Sequence, residues 1–117
     1  MNPKDIPQLD MNDKVLIFLD EIKYFDPTDN SKEVELISKK EMKQRLGIMD
    51  YLSEKHQNQL LFRENKIIPL DTLVGTYIGS VNFVLNIKPY YGLLSSKAEY
   101  FTIPLKDVVE IRKIKVE

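Results

Sequence analysis

The chain has no cysteine among its 117 residues, which excludes disulfide staples, a thiolate nucleophile and cysteine-ligated zinc. It has one histidine, His56, so no second histidine exists to share a metal. Long apolar runs are missing: the longest, residues 15–19, is far below the roughly 20 that a membrane-spanning helix needs. The first ten residues hold no apolar segment of the signal-peptide kind, so a cytoplasmic location without membrane attachment is the default expectation. A surplus of one charge is missing as well. With 17 basic and 18 acidic residues the net charge is −1, and any attraction to nucleic acid or to an acidic surface has to come from a local patch. No glycine-rich phosphate loop, nucleophile elbow or H-E-x-x-H segment occurs. Asp20, Glu21, Asp26 and Asp29 lack the spacing and the glycine of a calcium loop. The expectation is a protein without catalytic residues, metal or cofactor.

What is present is the composition of one globular domain, 43% hydrophobic and 30% charged, in a chain too short for two ordinary ones. Residues 1–12, with Pro3 and Pro7, read as a loosely held arm, and residues 13–117 as a single domain. The clearest pattern is Ile-Pro-Leu at 68–70 and again at 103–105, each followed after two residues by an apolar pair, Leu73-Val74 and Val108-Val109. Proline cannot donate to a sheet ladder, so each unit marks a strand end, an edge or a bulge. Gly75 and Gly79 suit a strand that bends or that another backbone approaches closely.

Residues 14–25, rich in β-branched and aromatic side chains, predict a strand buried on both faces at its start. Asp26-Pro27-Thr28-Asp29-Asn30 is a turn sequence, and residues 33–38, with Val34, Leu36 and Ser38 against Glu33, Glu35 and Ile37, predict a short strand in a hairpin with the first. Ser38-Lys39-Lys40-Glu41 is a capping box that opens a helix over residues 39–57. Its stripe is Met42, Leu46, Met49, Leu52 and His56, and Gly47 inside it costs about 1 kcal/mol relative to alanine. Strands are predicted at 60–62 and 66–70 around a turn at Arg63-Glu64-Asn65, at 81–87, and at 99–105. A final strand over 108–117 keeps Val109, Ile111, Ile114 and Val116 inward by a bulge near Arg112-Lys113.

Two basic groups depart from structural expectation. Lys39, Lys40, Lys43 and Arg45 crowd the start of the predicted helix, where the macrodipole favours acids; such a helix start suits a phosphate. Lys88, Tyr90, Tyr91 and Lys97 combine cations with ring faces in one loop, as single-stranded nucleic acid requires for backbone neutralisation and base stacking. Both groups are also readable structurally, as a solvated helix face and as tyrosines covering the end of a barrel.

Leu73-Val74-Gly75, Gly79 and Asn82-Phe83-Val84-Leu85 resemble the first motif of Sm-like and Hfq-like RNA-binding barrels, from which the chain departs at Ile103-Pro104-Leu105. In length, Lys/Ile/Asn-rich character and the order hairpin, helix, barrel, the whole chain resembles the small PrgU-type proteins of enterococcal pheromone-responsive conjugative plasmids. That resemblance implies a PUA-like RNA-binding barrel and post-transcriptional restraint of surface-adhesin production. The expectation is an α+β, mainly β domain: a small closed or partly open β-barrel, PUA-like or Sm-like, with one principal helix. Its expected partner is RNA. A protein-interaction module, docking a protein partner or a second copy through exposed strand edges, is the alternative the residues leave open.

Overall fold

The computed structural model describes residues 6–90 and 98–115. Within them, β1 (Lys14–Phe25), β2 (Glu33–Glu35), β3 (Ile68–Val81), β4 (Val84–Pro89), β5 (Tyr100–Pro104) and β6 (Val108–Lys113) form one mixed sheet in the order β2-β5-β4-β3-β1-β6. Alternation in β1 puts Val15, Ile17 and Leu19 on the core side, where they join Leu73, Leu85, Ile87, Phe101, Ile103 and Ile111. Val34 of β2 and Ile111 of β6, from opposite edges of the sheet, belong to the same cluster, so the sheet curls around its core. Among the described residues no ladder joins those two edges, and their sheet is not closed into a barrel.

The predicted β1–β2 hairpin does not form. Both edges of β1 are occupied, by β3 on one side and β6 on the other; β2 pairs instead in parallel with the free edge of β5. Backbone pairing of this segment with β1 is an isolated bridge, past the end of β2, at which Tyr24 and Ile37 exchange both backbone bonds, beyond the stretch of β1 that β6 covers. The turn residues act as expected, with the Asp26 carboxylate accepting from the Thr28 amide at 2.8 Å.

The single long helix is also corrected. Helix α1 (Lys39–Leu46) starts where predicted, with the Ser38 hydroxyl accepting from the Glu41 amide at 3.2 Å, and it stops at Gly47. Gly47 has φ of 71°, its amide donates to the Gln44 carbonyl and the Ile48 amide donates to that of Lys43. This is a Schellman ending, which glycine adopts without a Cβ penalty. A second Ser cap, Ser53 over the His56 amide, starts α2 (Glu54–Asn58). The chain continues as a π-helical turn, Gln59–Glu64, where strand was expected at 60–62. Leu61, fully buried, anchors that turn in a satellite core with Tyr24, Ile37, Met42, Ile48 and Ile67. Met49 and His56, placed on the predicted stripe, are exposed.

The predicted strand at 81–87 is a hairpin tip followed by a strand. Asn82 and Phe83 have φ of 52° and 64°, the two-residue turn that matches strand twist, leaving Val81 and Phe83 exposed while Leu85 and Ile87 are buried. Gly75 is a close-approach position: a Cβ there would lie 2.5 Å from the Lys88 carbonyl oxygen. Gly79, at φ 121°, sits in the irregularity between Tyr77 and Ser80.

The two Ile-Pro-Leu units are not equivalent. Pro69 lies near the start of β3, where β4 does not yet pair, whereas Pro104 ends β5 ahead of a 3₁₀ turn, Leu105–Asp107. The C-terminal bulge lies upstream of its predicted place: Leu19 pairs with Val108 and Phe18 with Glu110, leaving Val109 unpaired and exposed. The described part of the arm is held, with Ile6 and Leu9 packed on the core and the Asn12 amide donating to the Tyr77 carbonyl at 2.8 Å.

Candidate functional site

The helix-start cations are largely engaged by the protein itself. Lys39 Nζ donates to Asn58 Oδ1 at 3.1 Å, tying α1 to α2. Lys43 Nζ donates to Asp50 Oδ1 at 2.8 Å and to Gln57 Oε1 at 3.0 Å, and the Gln57 amide in turn donates to the carbonyls of Asp50 and Leu52. The hydrogen bond from Lys43, then its charge, hold the Asp50 carboxyl below the ordinary aspartate range. Arg45 lies 3.3 Å from Glu35 and 4.0 Å from Glu41. Lys40 is exposed. These residues form a clamp around two short helices, and the Ser38 hydroxyl already serves an amide at the helix start.

The loop candidates lie elsewhere. Lys88 is on β4 and Tyr90 directly follows it, 41% exposed; Tyr91 and Lys97 lie outside the described residues. Register places Lys14 opposite Thr76, and Thr76 opposite Lys88, so the three side chains form one row across β1, β3 and β4 on the face away from the core. Lys14 Nζ donates to Thr76 Oγ1 at 2.9 Å and stands 5.0 Å from the centroid of the Tyr90 ring. Neither Lys14 nor Lys88 has a carboxylate partner among the described residues.

The same face continues along β1 as half-buried Leu16 and Phe18, with Val74 opposite Leu16. Arg112 of β6, opposite Leu16, lies over the Phe18 ring at 5.1 Å while its guanidinium donates twice to Glu110. This platform therefore alternates cations with rings. Its far side is acidic: Tyr100 of β5 donates its hydroxyl to Glu33 of β2, which raises the phenol pKa.

The two predicted groups do not converge. Lys14 begins β1 and Tyr24, beside α1, is near its end, as much as ~33 Å apart along an extended strand. Sequence reading missed Lys14, Thr76, Phe18 and Arg112. The continuous apolar run at 15–19 reads as buried on both faces, whereas in the structure burial alternates and puts Lys14, Leu16 and Phe18 on one half-buried face. The cross-strand neighbours follow only from register.

No helix among the described residues is long and apolar enough to cross a membrane, and no group of three His, Asp or Glu side chains among them could hold a metal ion. Comparison with protein-family models, with curated proteins and with solved structures finds no match.

Proposed function

We propose that the protein is a non-enzymatic, cytoplasmic binding protein for single-stranded RNA. The supporting observation is the Lys14–Thr76–Lys88 row with the Tyr90 ring at its end. Lys14 and Lys88 are two strand spacings apart, about 10 Å, and meet successive phosphates, while Tyr90 stacks a base. Phe18 and Arg112 extend the platform along the strand. The curled sheet serves as a partly open barrel of PUA-like kind, in line with the post-transcriptional role that the PrgU-type resemblance implies. Lys39, Lys43 and Arg45 hold the helices and stay outside the interface.

The test is titration with a pool of single-stranded RNA at two salt concentrations. Two neutralised phosphates give a slope of about −1.4 in log affinity against log salt. Lys14→Gln with Lys88→Gln removes most of that slope, whereas Lys39→Gln with Lys43→Gln leaves it intact. Absence of binding at low salt rejects the reading. One observation favours a second reading, a protein-interaction module: Val81 and Phe83 at the β3–β4 tip are 63% and 68% exposed. Light scattering on the free protein tests self-association through that tip.

A further inference from the structure

Lys23 is the one buried charged residue among the described residues, 9% exposed, and its neighbour Ile22 is 51% exposed. The inversion has a backbone cause. Phe18 pairs with Thr72 and Lys23 with Leu70, so on the β3 side residues 19–22 of β1 are matched by Asp71 alone, and regular alternation is lost. Lys23 thereby points inward to Asp107 in the 3₁₀ turn, Nζ to Oδ2 3.3 Å. That is longer than the ~2.7–2.9 Å of a tight charge-assisted bond, and an ammonium carries three donors.

The pair borders a cavity of ≈ 280 Å³ with two unlike walls. One, from β1 and the 3₁₀ turn, holds Lys23, Lys106 and Asp107; the other, from β2 and the start of α1, holds Glu35, Ser38 and Glu41. Asp107 offsets one of the two lysines on the first wall. On the second, a single guanidinium, Arg45, serves both carboxylates, at 3.3 and 4.0 Å. The cavity lining therefore combines a surplus positive charge from one set of elements with a surplus negative one from the other.

We propose that this cavity binds a small zwitterion of amino-acid size, its carboxylate toward Lys23 and Lys106 and its ammonium toward Glu35 and Glu41. A simple anion meets the Glu35 and Glu41 carboxylates as well as Asp107, and a simple cation meets two lysines, so only a ligand with both charges is matched by both sets of residues. The volume lies just under the ~300–1,000 Å³ typical of drug-sized ligands, which suits a molecule of this size. The site is separate from the Lys14–Thr76–Lys88 face and does not depend on RNA binding.

The test is calorimetric titration of the full chain with each of the common α-amino acids and with betaine, using acetate and methylammonium as single-charge probes. Expected is saturable binding of at least one amino acid with Kd below about 1 mM, and single-charge probes at least about tenfold weaker. Glu41→Gln and Lys106→Gln, at exposed positions, each weaken binding about tenfold without a change in Tm. Lys23→Met with Asp107→Leu, an apolar exchange that a buried pair commonly tolerates, abolishes it while RNA affinity is unchanged. No amino-acid binding at about 10 mM, equal binding of the single-charge probes, or equal binding by the Glu41 and Lys106 variants would overturn the proposal.

Discussion

A methyl group at Gly75 would stand 2.5 Å from the Lys88 carbonyl oxygen and 2.6 Å from Ile87 Cγ2. The nearest obstacle is backbone in a paired strand, which cannot step aside as a flexible side chain would. Gly75→Ala is expected to destabilise by about 1–3 kcal/mol, read as a lower urea midpoint; an unchanged midpoint would mean that β3 and β4 part easily here. At Asp50 the prediction concerns pH. The Lys43 hydrogen bond and charge depress its folded pKa below the unfolded value of about 3.9. The pair's stabilisation is therefore present above the unfolded pKa and is lost as pH falls through the folded one. A carboxyl chemical-shift titration should place Asp50 below a free aspartate, and Lys43→Met should raise it toward the free range; a titration that ignores the substitution would assign the shift to another group.

Among elements, the division that matters is between the sheet core and the satellite core under α1, α2 and the π-helical turn. The satellite holds six buried residues, against 14 in the main cluster, so it opens first. Hydrogen exchange should release amides of residues 47–66 well before those of Val15, Ile17, Leu85, Ile87, Phe101 and Ile103. Leu61→Ala, at a fully buried position, should cost about 2–5 kcal/mol and widen that gap. Uniform exchange would mean one cooperative unit. The helix start was legible because a capping serine acts on its own next turn. The helix end was not: Gly47 inside a helix and Gly47 ending one have the same sequence, and burial of Ile48 in the satellite core decides between them. Likewise Leu60-Leu61-Phe62 is a short apolar run that periodicity assigns to strand or helix equally well.

For the whole molecule, ion pairs such as Lys32–Glu99, Arg45–Glu35 and Arg112–Glu110 are about half or more exposed, and exposed pairs add little to stability. Raising salt should therefore shift Tm by no more than about 3 °C, while the proposed RNA binding should weaken with the slope of about −1.4 expected of two phosphates. A large fall in Tm would show that surface charge holds the fold. The strand at 14–25, turn chemistry at 26–30 and the Ser38 cap were set by the sequence alone, because each depends on neighbours a few residues away, whereas the one-sided burial of residues 14–19, expected on both faces, and the Lys88 approach at Gly75 came with strand pairing. Tertiary structure alone decided that β2 joins β5, that Val109 carries the bulge, that Lys39 and Lys43 clamp helices, and that Lys14 stands beside Lys88, 74 positions later in the chain. Those outcomes follow from which strand edges remain unpaired once β1, β3 and β4 have met, and pairing between distant segments has no local signature.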